Sequence, residues 1–495
     1  MNEAYRIEAN FSFFSEAQQY LVQIINQLLS EGADQSQHGQ IEELIRIEGN
    51  KVLKLLLQGY LNMKADNEVT QGNVHTEDGQ RLNHVRHNTS RKITSLFGEV
   101  IVNRKSYSQR NQSSVFLMDE ELNLPANQYS DGLRYRLVKE AVKGSFDNAC
   151  ETIKQTTGGH IAKRQSLEVV QDVAQDFEAF YVKRAFTQPE QSENLLVIST
   201  DGKGIVMRSD SLRPCTQKAA QKTKKLNSRL SQGEKKNRKR MAQVAAVYSV
   251  APHPRSPQNI MNVDTPDDNV KQFPPRILNK RVWASVERNS ETVIEEAFQE
   301  ALKRDPNQTR QWIVLIDGQP QQLKLIHKVM KRLAVEATIV MDFIHVLEYL
   351  WQAAWCFFDK ADPDVEQWIA DRAIKVLQGK CSQVAKGIRS SATKRKLTKR
   401  KEVDKCANYL LKNKGRLCYD AALANGFPIA SGVIEGACRH LINDRLDITG
   451  ARWGLQGAES LLKLRSLKSS GHLDEYWRFH KEQSKCRLYK HLKCT

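Results

Sequence analysis

Along the chain the spacing of apolar residues changes several times, and each change marks a different kind of element. Tyr20, Leu21, Ile24, Ile25, Leu28 and Leu29 recur at helical spacing, as do Leu44, Val52, Leu55, Leu56 and Tyr60. Two or three amphipathic helices are therefore predicted within residues 1–66. They form either a helical cap or a self-association surface. Residues 67–90 are polar, carry Gly72 and Gly79, and read as a linker. Ile93–Val102 predicts a β-hairpin turning near Gly98. Residues 106–112 read as loop.

The helical period returns over residues 131–182. Ser145 is placed to cap a helix running through Phe146, Ala149 and Ile153. Gly158-Gly159 is expected to end it as a glycine C-cap. A second helix follows, with Lys163, Arg164 and Gln165 in its first turn. Two short helices around a glycine turn resemble a helix-turn-helix, and the pattern fits DNA reading and plain packing equally.

From Leu195 onward short apolar runs take over. Leu195–Thr200 predicts a strand ending at Asp201, with Gly204–Arg208 as a hairpin partner and Met241–Tyr248 as a third strand. Residues 252–275 read as a Pro- and Asp-rich loop. Thr292–Arg304 predicts a helix. Trp312–Ile316 is a strand ending at Asp317, Leu323–Leu333 a helix, and Ala337–Met341 a strand ending at Asp342. Residues 343–424 then read as helical throughout.

Composition adds a partner class. The chain has 495 residues, with 75 Lys and Arg against 57 Asp and Glu, a formal charge of +18. Half of that charge lies in residues 218–240, which hold ten Lys/Arg and one acid. A second run, residues 386–401, holds eight Lys/Arg and no acid. A protein this basic is expected to meet a polyanion, with nucleic acid the default; a solvated loop is the bland reading of each run. Residues 1–66 run the other way, with five bases and nine acids. Apolar residues make up 40% of the chain, enough for real cores. No apolar run approaches a membrane span and the first residues lack a signal-peptide pattern, so a cytoplasmic, nucleoid-associated protein with no membrane partner is expected. Nine scattered cysteines without a C-x-x-C fit reduced thiols.

Three strand-terminal aspartates, Asp201, Asp317 and Asp342, carry the candidate chemistry, because α/β folds place ligands at such strand ends. The order of elements matches a ribonuclease-H-like core, in which carboxylates from separate elements hold two Mg²⁺ ions for in-line phosphoryl displacement. Asp201 and Asp317 are the first two acids of that reading. Glu435, early in an Arg-rich helix after Ser431, is the third. Each acid taken singly also reads as a helix cap or a surface group.

Several blocks carry a family resemblance: Thr200-Asp201-Gly202-Lys203-Gly204, Asn237-Arg238-Lys239-Arg240-Met241, Asp264-Thr265-Pro266-Asp267-Asp268-Asn269, Val282–Val286, Leu315–Gly318, Asp342–Val346, and Ser431 through Gly450-Ala451-Arg452-Trp453. In these, from about residue 91 to about residue 478, the chain resembles insertion-sequence transposases of the DDE type, most closely the ISKra family, and more widely the Mutator-like transposases. The resemblance implies Asp201, Asp317 and Glu435 as catalytic and metal-holding acids, 116 and 118 residues apart. It implies Mg²⁺, with Mn²⁺ as substitute. Asp342 and His345 match a D-x-x-H signature and are read as supporting residues; a helix N-cap and a satisfied buried imidazole are the competing readings. The implied reaction is cleavage at the ends of an insertion sequence followed by joining to target DNA. The partners are the terminal inverted repeats, the target, and further copies of the chain as a homo-oligomer on DNA. A domesticated DNA-binding regulator and a structure-selective nuclease are the alternatives.

The expected class is thus α+β and multidomain: a ribonuclease-H-like α/β core interrupted by an all-helical insertion, with a helical N-terminal DNA-binding region. Its expected parts are residues 1–90 (helical region and linker), 91–130 (hairpin segment), 131–190 (helix-turn-helix-like domain), 191–345 (first part of the core), 346–424 (helical insertion), 425–470 (second part, with the third acid) and 471–495 (basic tail). Lys163, Arg164, Gln165, Arg238, Lys239, Arg240, Lys394, Arg395, Lys396, Arg439 and Arg452 are the candidate DNA contacts. Arg445 is expected to pair with Asp444 or Asp447. His480, Cys486, His491 and Cys494 do not match zinc spacing, and Asp264, Asp267 and Asp268 read as turn residues.

Overall fold

A computed structural model describes residues 10–75, 79–111, 113–184, 194–224, 226–261, 273–359, 361–448 and 450–489. The Asp264–Asn269 block, His491 and Cys494 lie outside the described residues. The chain divides into two units, Met1–Lys183 with Asp474–Thr495, and Arg184–Leu473. It is a mixed α+β protein with many helices, a two-stranded sheet and a five-stranded sheet.

In the first unit, helices Ser15–Leu28 and His38–Asp66 confirm the helical period of the first 66 residues. The hairpin is longer than its apolar core implies. Strand β1 runs over His84–Ser95 and β2 over Gly98–Ser108, so part of the expected linker and of the expected loop after Ser106 is strand. The turn needs glycine at position 98, where φ is +120°. Ser95 Oγ closes the turn by donating to the Gly98 carbonyl at 2.8 Å. Leu61 packs with Ile93, Val100, Val102 and Met118 into one apolar cluster.

Ser145 caps helix Phe146–Thr156 as its sequence predicts, accepting from the Asn148 N–H at 3.1 Å. Gly158 and Gly159 have another role than the expected left-handed cap, since neither has a positive φ. They let the backbone approach the hairpin: Gly158 N–H donates to the Leu96 carbonyl at 2.8 Å, and a Cβ on Gly159 would lie 2.5 Å from the Ser95 carbonyl oxygen. The next helix is Lys163–Ala174. Residues 471–495, expected as a tail, contain helix Leu473–Tyr489. Its Tyr476 and His480 are fully buried, and Tyr476 donates its hydroxyl to the Val173 carbonyl.

The second unit is built on the order β5-β4-β3-β6-β7, with β3 Leu195–Val206, β4 Lys239–Val250, β5 Leu278–Ser285, β6 Trp312–Ile316 and β7 Thr338–Met341. Strands β3, β4 and β5 pair antiparallel, whereas β3, β6 and β7 pair parallel. All five residues of β6 are buried, as expected of a central parallel strand covered on both faces. Two strand readings are corrected. β3 does not stop at Asp201 but continues to Val206, so Gly204–Val206 is its extension and not a hairpin partner. The third antiparallel strand is β5, which overlaps the Val282–Val286 block and begins four residues before it. After β7 come helices Phe343–Ala354, Asp364–Leu377, Cys381–Lys394 and Lys401–Lys412, where the sequence places a helical stretch.

Candidate active site

The register of the parallel strands aligns three carboxylates. Ser199 of β3 pairs with Leu315 of β6, so Asp201 and Asp317 each lie two residues beyond that level. Ile316 of β6 pairs with Met341 of β7, so Asp317 and Asp342 are again level, one residue on. Neighbouring strands lie roughly 5 Å apart, which brings the three acids to one edge of the sheet. Each is held by a local backbone donor. Asp201 accepts from Gly202 N–H at 2.6 Å, Asp317 from Gln319 N–H at 3.1 Å, and Asp342 from Ile344 N–H at 2.9 Å. The last bond is a helix N-cap, so the capping reading of Asp342 holds.

The acids also feel one another. Burial pushes the Asp317 carboxyl above its usual range. The Gln319 N–H and His345 oppose that push, and the charges of Asp201 and Asp342 add to it. His345 lies between two of the acids, its Nε2 4.0 Å from Asp317 and its Nδ1 3.7 Å from the fully buried Asp342. Nδ1 is buried and without a hydrogen-bond partner among the described residues, so the satisfied-imidazole reading fails.

Helix Gly432–Cys438 brings the third acid. Ser431 Oγ sits between two carboxylates, in hydrogen-bond contact with Asp342 and 3.0 Å from Glu435 Oε1. A hydroxyl has one proton, so it can donate to only one of them at a time. Three residues beyond Glu435, and so on the same helix face, the Cys438 thiol donates to Asp201 Oδ2 at 3.2 Å. Burial and the neighbouring Asp201 charge push that thiol far above its usual pKa, so it remains a donor. Cys438 is a site residue that sequence reasoning missed.

These oxygen donors are of the kind a divalent cation takes. Among the described residues no group of three or more His, Cys, Asp or Glu is gathered as a metal centre. Mg²⁺ needs only one or two carboxylates when waters and substrate phosphates complete its shell, and Asp201 and Asp317 are level on adjacent strands.

The candidate DNA contacts divide into free and occupied groups. Lys163 and Arg164 are exposed, with Lys163 2.6 Å from Asp147, while Gln165 accepts from the Tyr129 hydroxyl. Lys239 pairs with Asp447 at 2.8 Å. Arg240 donates to the carbonyls of Val286 at 2.8 Å and Ser211 at 3.2 Å, which ties the start of β4 to the end of β5. Arg238 is half-buried, and its carbonyl accepts from Met207 N–H. Lys394, Arg395 and Lys396 are exposed at the end of their helix, with Arg395 5.6 Å from the Phe357 ring. Arg439 and Arg452 are exposed. Arg445 is buried over the Trp453 ring at 4.9 Å, while Asp447 takes Lys239 and Asp444 takes His440. Trp453 in turn bridges to Met207 beside the end of β3, which gives the Gly450–Trp453 block a structural task. His480 is bonded to Asp176 at 2.7 Å.

Residues 21–242 match the model of an uncharacterised protein family, UPF0236. The match takes in Asp201 and stops short of Asp317 and Glu435. No curated protein matches the chain. Among solved structures, a chain of the Drosophila P element transposase strand transfer complex is similar at 9% identity, with 73% of this chain and 82% of that chain covered and a TM-score of 0.21. Among the described residues no helix is long and apolar enough to cross a membrane.

Proposed function

We propose that the protein is a DNA transposase of the DDE type, similar to the ISKra family, whose site is formed by Asp201, Asp317 and Glu435. The observation that carries this reading is the alignment of Asp201 and Asp317 on adjacent parallel strands, with Cys438 touching Asp201 from the helix that also carries Glu435. The sheet order supports a ribonuclease-H-like core: three antiparallel strands followed by two parallel ones, with the first strand central. The helical segment between β7 and Glu435 supports the expected insertion.

Asp201 and Asp317 would hold Mg²⁺, with Glu435 as a further ligand and Mn²⁺ as substitute. The ion supplies charge stabilisation for a phosphoryl group and lowers the pKa of an attacking oxygen. The chain's own residues do the positioning. Gly202 and Gln319 N–H groups and the Cys438 thiol orient the carboxylates, and Asp342 anchors the helix that carries His345. In the first step a water oxygen bonds to phosphorus at the element's end and the 3′-oxygen leaves as a hydroxyl. In the second the oxygen of that hydroxyl loses its proton and bonds to a target phosphorus, and the target strand's 3′-oxygen leaves and is protonated. The chain is proposed to act on DNA as a homo-oligomer. Exposed apolar side chains on the first two helices, among them Leu21, Val22, Ile25, Ile45 and Leu53, support a second copy as the partner there.

Asp201→Asn, Asp317→Asn and Glu435→Gln are each expected to cut strand transfer by at least a hundredfold while DNA binding survives. Wild-type joining by any one of them removes that residue from the site. An alternative regulator would bind DNA with no Mg²⁺-dependent joining at all.

A further inference from the structure

Beside Asp317 and His345 opens a cleft of about 660 Å³, within the range of ligand sites. One wall is helix Pro320–Leu333, which contributes Lys324 and His327. The opposite wall comes from helix Lys401–Lys412 and the turn after it, which contribute Lys405, Tyr409, Lys412 and Arg416. Asp317 is the one carboxylate among the lining residues. Lys324, Lys412 and Arg416 carry no ion pair among the described residues, whereas Lys405 lies 3.3 Å from Glu402.

The cleft also has an aromatic floor. The Tyr349 and Tyr409 rings stack at 4.0 Å with an interplanar angle of 19°, and Lys405 Nζ lies 5.4 Å from the Tyr349 centroid. The Tyr409 hydroxyl is buried and has no hydrogen-bond partner among the described residues. Burial and the nearby Tyr349, Asp317 and Asp342 hold its proton far above the usual phenol range, so it stays a donor at every working pH. A buried donor without an acceptor is costly unless something arrives to accept from it. Here that acceptor would enter a cleft lined by cations and stacked rings. Cations that track a backbone, with aromatic faces for the bases, are the recognition set for a nucleic-acid strand.

We propose that this cleft holds the phosphate backbone of the DNA strand that leaves the Asp317 position, with Lys412 and Arg416 on phosphates and the Tyr409 hydroxyl donating to a phosphate oxygen. The placement next to the reacting phosphate rests on the transposase reading; strand binding in the cleft does not. None of these residues is in the basic runs that composition singles out, because Lys324, Lys405, Lys412 and Arg416 are scattered in sequence and converge only in the fold.

The test is fluorescence anisotropy of the full-length protein with a labelled single-stranded DNA, titrated across potassium chloride concentration. Lys412→Ala with Arg416→Ala is expected to weaken binding at least tenfold. It should also reduce the slope of log affinity against log salt by about 1.4, the value for two phosphates on a single strand. A strand whose phosphates are neutralised one at a time as methylphosphonates adds a signature that misfolding cannot imitate. Wild type should lose affinity at two or three adjacent positions, and Tyr409→Phe should lose the effect at one of them only. An unchanged salt slope in the double variant overturns the proposal, as does equal competition by an acidic polypeptide. If the cleft variants lose strand binding but wild type joins no DNA, the cleft stands and the transposase reading falls. If wild type joins DNA and the variants bind it normally, only the cleft falls.

Discussion

Asp317 shows how a half-buried carboxylate works against the stability of its own fold. Its pKa is raised first by burial and then by Asp201 and Asp342, so its proton is held more tightly folded than unfolded. Stability must therefore fall as pH rises from the ordinary carboxylate value of about 4 through the raised folded value. Asp317→Asn removes that cost. Its thermal midpoint at pH 7 without metal is expected to rise by about 2 °C, while millimolar Mg²⁺ raises the wild-type midpoint and leaves the variant's unchanged. Equal responses to Mg²⁺ would take Asp317 out of the metal site. The thiols give a second check at this scale. Burial pushes Cys381 up to about 11 and Cys406 up to about 12, and Cys438 is buried against Asp201. Cys215, Cys418 and Cys486 are exposed. Alkylation of the native protein followed by mass spectrometry should label the exposed three and spare the buried three. Rapid labelling of Cys438 would contradict its contact with Asp201. The three aspartates were legible because each follows an apolar run. Cys438 was not, since nothing local marks a contact with a residue 237 positions away.

At the level of elements, glycines and charges mislead in instructive ways. The Gly158-Gly159 pair looks like a helix stop, yet what it provides is space against the hairpin turn. Gly159→Ala would put a methyl 2.5 Å from the Ser95 carbonyl oxygen, tighter than real contacts, and is expected to destabilise the first unit by about 1–3 kcal/mol, measured by urea unfolding. A neutral outcome would mean that the turn moves freely. Strand β5 escaped notice because its first residues, Leu278–Lys280, are exposed and only Val282–Ser285 is buried, too short an apolar run to mark the strand. The helix after Gly471 has its buried positions at Leu473, Tyr476, Trp477 and His480, a helical spacing set among many charged residues. His480 and Arg487 hold the Asp176 carboxyl below its usual range against the opposing effect of burial. That anchoring is present at pH above about 4 and is lost as pH falls through the depressed folded value. Circular dichroism between pH 5 and 2 should show the stability of the first unit falling in that window, and less steeply in Asp176→Asn.

For the whole molecule, a charge of +18 fits the proposed DNA partner, but the total says little about where contact would occur. Lys239 and Arg240, within the most basic run, are spent on Asp447 and on backbone carbonyls. Lys394, Arg395 and Lys396 remain exposed. The parallel half of the sheet was readable from its apolar runs; how the helical segments close round its acidic edge was not, because that depends on contacts between residues far apart in sequence. The account stands or falls on chemistry at that edge. The most direct measurement is a Mg²⁺-dependent joining assay with DNA carrying the ends found in the sequence flanking the gene, a supercoiled target, and wild type beside Asp201→Asn. The account predicts joined products from wild type and none from the variant, with equal end binding by both. Equal joining by both proteins, or end binding by wild type with no cleavage or joining in Mg²⁺ or Mn²⁺, would contradict it.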